Sequence, residues 1–583
     1  MSDINLKING IPVSVPKGST ILEAARKVGI QIPTLCFLKD INEIGACRMC
    51  VVEVKGARSL VAACVYPVHE GMEVVTGSPK IIESRKTTLE LILSNHKQEC
   101  LSCPRSESCE LQKLSMEYGI DNTHRYDGEK NLYHIDASAS HMIRDNDKCI
   151  LCRRCSATCA SLQQVGVIGA NDRGFDTHIS CAFERPLSDV PCISCGQCIT
   201  ACPTAALHER DDTAKVFAAL NDPTKTVIVQ TAPSIRVAIG EEFGGKIGEV
   251  QTGKLVSSLR TLGFDKVFDT NFTADLTIME EATEFLSRYT KKENLPLITS
   301  CSPGWIKFCE YYYPDMLHNV STCKSPQGMF GAVAKTYYCE KEGIDPKDLF
   351  VVSVMPCTAK KFEAERPELS CNDGIPDIDA VITTRELARM LRKAGVLFNE
   401  LPEGTYDAPF GLGTGAGTIF GATGGVMEAA LRTAYEVVTK ETLTDANINF
   451  TAVRGVQGIK EAEFDLAGNI VKVAVASGLT NAKKLLDMVK SGEKYYDFIE
   501  IMACPGGCVN GGGQPIVPSS IRNVVDVRAL RAAGLYKDDA NLPLRKSHEN
   551  PDVKRIYDEY FEAPNSHKAH KILHTHFTAR KKY

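Results

Sequence analysis

The feature that most constrains this chain is the spacing of its cysteines. There are 24 of them in 583 residues, and many fall in tight C-x2-C groups. In a reducing compartment such groups suit metal ligation better than disulfides. Zinc accounts for one or two C-x2-C pairs, whereas repetition on this scale points to iron–sulfur clusters. The opening residues, Met1 to Lys7, hold no apolar leader core, and no apolar run approaches the roughly 20 residues a spanning helix needs. A cytoplasmic protein without membrane contact is therefore expected. The net charge of −5 carries no polyanion signal, so nucleic acid is not an expected partner.

Four segments follow from the cysteine groups. In residues 1–78, Asn5 to Val15 alternates around Asn9-Gly10, a hairpin signal, and Ser19-Thr20 caps a helix closed by Gly29. Cys36, Cys47, Cys50 and Cys64 then supply four thiolates for a [2Fe–2S] cluster, with a longer first gap than the plant-type pattern. In residues 79–125, a helix from Ile81 to Ser94 precedes His96, Cys100, Cys103 and Cys109. Three thiolates and an imidazole also suit zinc. The position between cluster domains favours a [4Fe–4S] cluster with one histidine ligand.

Residues 126–209 hold two matched runs, Cys149, Cys152, Cys155, Cys159 and Cys192, Cys195, Cys198, Cys202-Pro203. This is the bacterial two-cluster ferredoxin pattern, in which the fourth cysteine of each run serves the other cluster. One cubane then takes Cys149, Cys152, Cys155 and Cys202; the other takes Cys192, Cys195, Cys198 and Cys159. Cys181 is left over as a structural thiol.

Residues 210–583 change character. Thr226 to Gln230 and Leu349 to Met355 read as buried strands, with helices over Leu276 to Tyr289 and Glu386 to Ala394, a pattern of α/β type with largely parallel strands. Gly411 to Gly417 lacks dinucleotide-fingerprint spacing. Three cysteine motifs stand out: Thr299-Ser300-Cys301-Ser302-Pro303-Gly304-Trp305, Met355-Pro356-Cys357 with Lys360 and Glu363, and Glu500 to Pro515 with Cys504, Cys508 and Gly511-Gly512-Gly513. If the last segment turns helically, its thiolates at i and i+4 point the same way. Cys357 follows a strand, where open α/β sheets bind ligands.

Together the three motifs resemble the signatures of the [FeFe] hydrogenases, and the order of segments resembles the large clostridial type over essentially the whole chain. The resemblance implies a multidomain α+β and α/β protein: a β-grasp ferredoxin, a small helical cluster domain, a two-[4Fe–4S] ferredoxin domain and a large α/β catalytic domain. It implies one [2Fe–2S] cluster, three accessory [4Fe–4S] clusters and an H-cluster, a cubane bridged to a binuclear iron site with CO, CN and dithiolate ligands. Cys357, Cys504 and Cys508 match three cubane ligands, with Cys508 the bridge. Lys360 matches the cyanide contact; Pro233, Ser234, Gln327, Met355, Phe420 and Met502 match the lining. Glu281, Glu284 and Arg288, spaced along one helix face, match with Ser321 a proton path that ends at Cys301.

The family motif usually carries two adjacent cysteines before the proline. Here the pair is Cys301-Ser302, so either Ser302 ligates or Cys301 takes its place; serine oxygen is a harder ligand than thiolate. The expected activity is 2 H+ + 2 e− ⇌ H2, with ferredoxin or flavodoxin as redox partner, dedicated maturation proteins, and a monomeric state. A slow H2- or redox-sensing homologue is the alternative. An electron-input subunit of a nicotinamide-nucleotide complex and an iron–sulfur assembly factor are further rivals.

Overall fold

In a computed structural model, residues 3–371 and 374–582 are described; Met1 and Ser2 of the N-terminal reading lie outside them. The chain divides into two compact units. One comprises Met1–Val190, Gln197–His208 and Ile516–Asp526, and the other Pro191–Gly196, Glu209–Pro515 and Val527–Tyr583.

The first unit begins with the hairpin. Strands Asp3–Ile8 and Ile11–Pro16 pair antiparallel around Asn9 (φ 50°) and Gly10 (φ 81°), both left-handed as a two-residue turn of this hand requires. They join a five-stranded sheet through the parallel pairing of Asp3–Ile8 with Glu73–Val75, and Val51–Val54 and Val61–Ala62 complete it. Helix Ile21–Lys27 lies on it, started by a capping box between Thr20 and Glu23. Its buried Ile21, Leu22, Ala24 and Ala25 share an apolar cluster with Leu6, Ile8, Val13 and Val15 of the sheet. Helix Pro79–Ser94, with Ser78 as N-cap and proline at its first position, ends two residues before His96. Short helical segments Arg154–Ala157, Thr158–Leu162 and Gln197–Ala201 carry the later thiols of this unit.

The second unit is built on two four-stranded sheets. The first runs Lys266–Asp269, Thr226–Thr231, Leu349–Met355, Ala380–Thr383, all parallel. The second runs Leu297–Ile298, Phe498–Met502, Asn469–Ser477, Ile459–Leu466; its first three strands are parallel. Strand Ile459–Leu466 pairs antiparallel with Asn469–Ser477 across Ala467 (φ 56°) and Gly468 (φ 83°), a hairpin the sequence reading missed despite its period-two alternation. Each cysteine motif leaves the C-terminal end of a parallel strand: Cys301 follows Leu297–Ile298, Cys357 follows Leu349–Met355, and Cys504 follows Phe498–Met502.

Two expectations need correction. The helix expected from Leu276 spans Thr270–Lys291, because the Asp269 carboxylate accepts from the Asn271 amide at 3.0 Å and starts it earlier. Its first turn, Thr-Asn-Phe-Thr, has weak helix propensity, which hid the start. The segment between Cys504 and Cys508 is not a helical turn: Gly506 (φ 88°) and Gly507 (φ 93°) are left-handed, and Cys508 opens a single 3-10 turn.

The glycine triplet has a packing reason. A Cβ on Gly511 would lie 2.1 Å from the Pro356 carbonyl oxygen, and one on Gly512 would lie 2.3 Å from that of Cys195. The Gly513 amide donates to the same Pro356 oxygen at 2.8 Å. Gly511→Ala is expected to destabilise the protein by about 1–3 kcal/mol, the usual cost of overpacking. Gly128→Ala, which meets nothing within 4 Å, is the control. Thermal unfolding of both variants beside the wild type checks the contrast, and equal midpoints would contradict it.

Candidate active site and cluster sites

Buried groups in the second unit converge where the strand ends release the three cysteine motifs. The Cys357 thiol accepts from the backbone amides of Ala359 and Lys360; burial pushes its pKa up while the Lys360 ammonium opposes this. Burial, with Cys357 next, pushes Cys508 up to about 12. The neighbours that act on Cys301 are Glu281, Cys508, Glu500 and Lys360, and burial raises its thiol well above the ordinary range. Lys360 donates to Ser325 Oγ and Glu363 Oε2 at 2.7 Å each and approaches the Cys301 carbonyl at 3.4 Å. The Ser302 hydroxyl turns elsewhere: it accepts from the Ala503 amide at 3.3 Å, one residue before Cys504.

The residues named for a binuclear lining surround the same strand ends. Met355 and Met502 are the buried last residues of their strands. Pro233 and Ser234 open the turn after Thr226–Thr231, and Phe420 ends helix Gly415–Ile419. Gln327, on helix Pro326–Val333, donates to the Lys360 carbonyl at 3.2 Å. Ser234 Oγ and Gln327 Oε1 are buried with no partner among the described residues. Buried polar atoms are rarely left so, and a bound group with acceptor and donor atoms fits both.

Glu281, Glu284 and Arg288 lie along one face of helix Thr270–Lys291. Glu281 is 1% exposed. Burial, reinforced by the Glu284 charge, raises its carboxyl to about 8, so it is largely protonated at neutral pH. Ser321 hydrogen-bonds Glu281 on one side and donates to Glu284 Oε2 at 2.7 Å on the other. Glu284 also accepts from Arg288 at 2.6 Å, and Arg288 caps the carbonyls of Asn294, His318, Asn319 and Val320. Ser321 thus joins the carboxyl groups of Glu281 and Glu284, and Glu281 is the neighbouring charge that acts most strongly on the Cys301 thiol.

The role of one neighbour escaped the sequence reading. Glu500 is fully buried at the N-terminus of helix Gly425–Thr439, accepting from Gly424 and Met427 amides at 2.7 and 2.8 Å; burial raises it to about 7. Its position before Met502 gave no sign of this cap, which only the fold supplies. Cys323 donates to Glu284 at 3.7 Å, and Cys309 to the Tyr313 carbonyl at 3.4 Å.

In the first unit, the sulfur of Cys50 lies 3.3 Å from that of Cys64, and Cys36 and Cys47 form a second thiol pair. The donated thiol proton lowers Cys47 to about 6, and the two pairs act on one another. Cys149, Cys152, Cys155 and Cys202 line one small cavity with Pro203 and Thr204. His96 Nδ1 is buried without a partner among the described residues, and burial lowers the ring to about 4, leaving the neutral form that ligates metal. Cys100 is exposed, and Cys109 N-caps helix Glu110–Glu117 beside Cys103. Cys159 lies in segment Thr158–Leu162, and Cys198 lies 4.0 Å from the Met142 sulfur. In the second unit, Cys192 is next to Lys307.

Thiol groups in one unit, and buried acids near a thiol in the other, are the features of an iron–sulfur oxidoreductase. Residues 225–512 match the family described as iron only hydrogenase large subunit, C-terminal domain, and residues 525–580 match iron hydrogenase small subunit. Residues 2–79 match a 2Fe-2S iron-sulfur cluster binding domain, and 85–124 the NADH-ubiquinone oxidoreductase-G iron-sulfur binding region. The NADP-reducing hydrogenase subunit HndD of Solidesulfovibrio fructosivorans is 49% identical, covering 100% of both chains. Iron hydrogenase 1 of Clostridium pasteurianum is 45% identical over 97% of this chain and 98% of its own. A solved apo variant of the [FeFe]-hydrogenase HydA1 from Chlamydomonas reinhardtii superposes with a TM-score of 0.57 and 44% identity, over 64% of this chain and 100% of that one. The chain belongs to the iron-only, or [FeFe], hydrogenase family and is an oxidoreductase with accessory iron–sulfur domains. No helix among the described residues is long and apolar enough to cross a membrane.

The Glu281 carboxyl is expected to titrate near pH 8. Its native pKa lies above the unfolded one, so the protonated carboxyl stabilises the fold fully at acid pH. That contribution fades as pH rises from the ordinary carboxylate range through about 8. Infrared difference spectra of the matured protein across this range should show a buried carboxylic acid band disappearing, and Glu281→Gln should lack it. A Glu281 ionised throughout at pH 6 would contradict the assignment.

Proposed function

We propose that the chain catalyses 2 H+ + 2 e− ⇌ H2 at an H-cluster held by Cys357, Cys504 and Cys508, with Ser302 in the fourth cubane position. The observation that carries this reading is the buried pair Glu281 and Glu284, joined by Ser321, with Glu281 acting on Cys301 beside the three cysteine motifs. When bound, the H-cluster supplies the two-electron redox chemistry on hydrogen. The protein's residues supply the protons, the charge and the dry surroundings.

Cys301 faces Glu281 and Cys508, which suits a thiol that exchanges a proton with Glu281. A carboxyl with pKa near 8 holds or releases that proton at neutral pH with little energetic cost in either direction. Ser321 donates to Glu284 and hydrogen-bonds Glu281, and so connects the two carboxyl groups. Lys360, neutralised by Glu363 on one side, presents a cation to the anionic ligands of the cluster. Ser234, Gln327, Met355, Met502, Pro233 and Phe420 supply the lining: two orphaned polar groups that orient bound ligands, and an apolar remainder that excludes water. The Ala503 amide on Ser302 Oγ points that oxygen to the strand end that leads to Cys504 and leaves Cys301 to the relay.

In the same proposal the accessory centres are one [2Fe–2S] cluster at Cys36, Cys47, Cys50 and Cys64, and three [4Fe–4S] clusters. Of these, one is bound by His96, Cys100, Cys103 and Cys109, and the other two by the crossed runs of residues 149–202. The segments 1–78, 79–125, 126–209 and 210–583 are the corresponding domains, the first of β-grasp type. Electrons enter from ferredoxin or flavodoxin, and maturation proteins install the cluster. A second reading of the partner has its own support: the full-length relative HndD is by name a subunit of an NADP-reducing hydrogenase. An assay with reduced ferredoxin alone separates the two. H2 evolution by the isolated chain supports the ferredoxin reading, and activity that requires further subunits and a nicotinamide nucleotide supports the other.

Replacing the relay thiol, Cys301→Ala, is expected to lower H2 evolution by about 10²-fold or more, the scale of a lost acid–base group. The CO and CN infrared bands should persist. Ser302→Cys should retain activity and hold cubane iron more firmly against chelators. Loss of the catalytic cubane in Cys301→Ala with Ser302 in place would reverse the two roles.

A further inference from the structure

The relay described above leaves its supply of protons open at Glu284. Arg288, its ion-pair partner, carries five N–H donors and no acceptor, so it holds Glu284 without taking a proton from it. It also spends its donors on four backbone carbonyls, so it plugs this end of the line. Ser321 leads inward and Cys323 is an enclosed thiol. The remaining partner of Glu284 is Thr322, whose amide lies 3.2 Å and whose hydroxyl lies 3.3 Å from the carboxylate.

The Thr322 hydroxyl also lies 2.8 Å from Nδ1 of His574, a buried imidazole on the C-terminal segment. His574 Nε2 lies 3.0 Å from Glu280 Oε2, and Glu280, fully buried, accepts from Tyr557 at 2.5 Å and from the Asn565 amide at 2.8 Å. The exposed ring of His570 stacks on His574, with centroids 4.5 Å apart and planes 10° apart. Burial, then the facing His574 and His567, lowers the His570 pKa, while Glu284 and Glu280 oppose this. Two imidazoles so close do not both hold a charge comfortably, a condition suited to passing one proton.

We propose that protons reach the relay through the C-terminal histidines: His570 takes them from solvent, His574 receives them, and the Thr322 hydroxyl hands them to Glu284. His570 passes the proton through one bridging water to Nδ1 of neutral His574, whose lone pair is open while the Thr322 hydroxyl donates to Glu284, and Nε2 keeps its proton on Glu280. At Thr322, the hydroxyl accepts the proton from His574 Nδ1 and releases its own to Glu284, so no charge is left on threonine. Glu280 is a positioning residue here: it holds Nε2 of His574 and so keeps Nδ1 on Thr322. His570, His574 and Glu280 lie outside the relay that the cysteine motifs suggested. This inference rests on the reading of Glu284 and Glu281 as that relay.

The test uses the full-length matured protein, with CO and CN infrared bands as the check that the site is loaded and H2 evolution from a reduced viologen as the readout. Thr322→Val removes the hydroxyl and keeps the shape; Thr322→Ser keeps the hydroxyl. Thr322→Val should lower turnover fivefold or more, and Thr322→Ser should stay within twofold of wild type. His574→Gly should lose at least as much as Thr322→Val and regain threefold or more with added imidazole. If Thr322→Val keeps more than half the wild-type rate while Glu281→Gln is inactive, the relay stands and the histidine branch falls. If Glu281→Gln also keeps its rate, the relay reading itself has failed. Equal losses in Thr322→Val and Thr322→Ser would mean a packing effect and overturn the proposal. If Thr322→Val lacks the bands, His574→Gly decides: rescue by imidazole supports the branch, and its absence overturns it.

Discussion

The catalytic unit depends on one close backbone contact, the seat of Gly511–Gly513 against Pro356. No side chain fits there, and the Gly513 amide uses the Pro356 carbonyl as its acceptor. That contact brings the loop after Phe498–Met502 against the loop after Leu349–Met355, and with it Cys504 and Cys508 toward Cys357. Parallel strands make this economical. Within each sheet the C-terminal ends lie at one edge, so short loops from separate parts of the sequence emerge together there. The adjoining strand, Leu297–Ile298, adds Cys301 and Ser302 to the same edge.

A second constraint follows from burial. The edge is dry, and charges there must be paired or protonated. Lys360 is paired with Glu363, and Glu284 with Arg288. Glu281 has no cation and takes up a proton instead, its carboxyl raised to about 8. The same desolvation that makes an isolated carboxylate costly brings the Glu281 pKa toward neutral pH. Arg288 fixes Glu284 through an ion pair, and Thr322 joins the same carboxylate to His574.

Much of this was legible in the sequence because ligand spacing is local. The first cysteine groups marked the segments that match iron–sulfur binding regions, the Asn9-Gly10 turn marked the first hairpin, and the i, i+3, i+7 spacing of Glu281, Glu284 and Arg288 marked one helix face. What was not legible depends on distant partners. The cap that Glu500 provides to helix Gly425–Thr439 and the contact of His574 with Thr322, 252 positions earlier, exist only after folding. The helical turn expected between Cys504 and Cys508 failed for a local reason: Gly506 and Gly507 adopt left-handed conformations that their lack of a side chain permits but does not announce. The early start of helix Thr270–Lys291 was hidden because a cap at Asp269 outweighed the weak propensity of its first turn.

The central claim is that the cysteine motifs with Lys360 and the buried relay make a working hydrogen site although Ser302 stands beside Cys301. Infrared spectroscopy of the anaerobically matured protein in the CO and CN region, with H2 evolution measured on the same sample, tests it most directly. The account predicts CO and CN bands together with turnover. Bands without turnover would contradict the working relay through Cys301. Intact accessory clusters without any bands, in a preparation whose maturation is verified on a control enzyme, would contradict the hydrogen site itself.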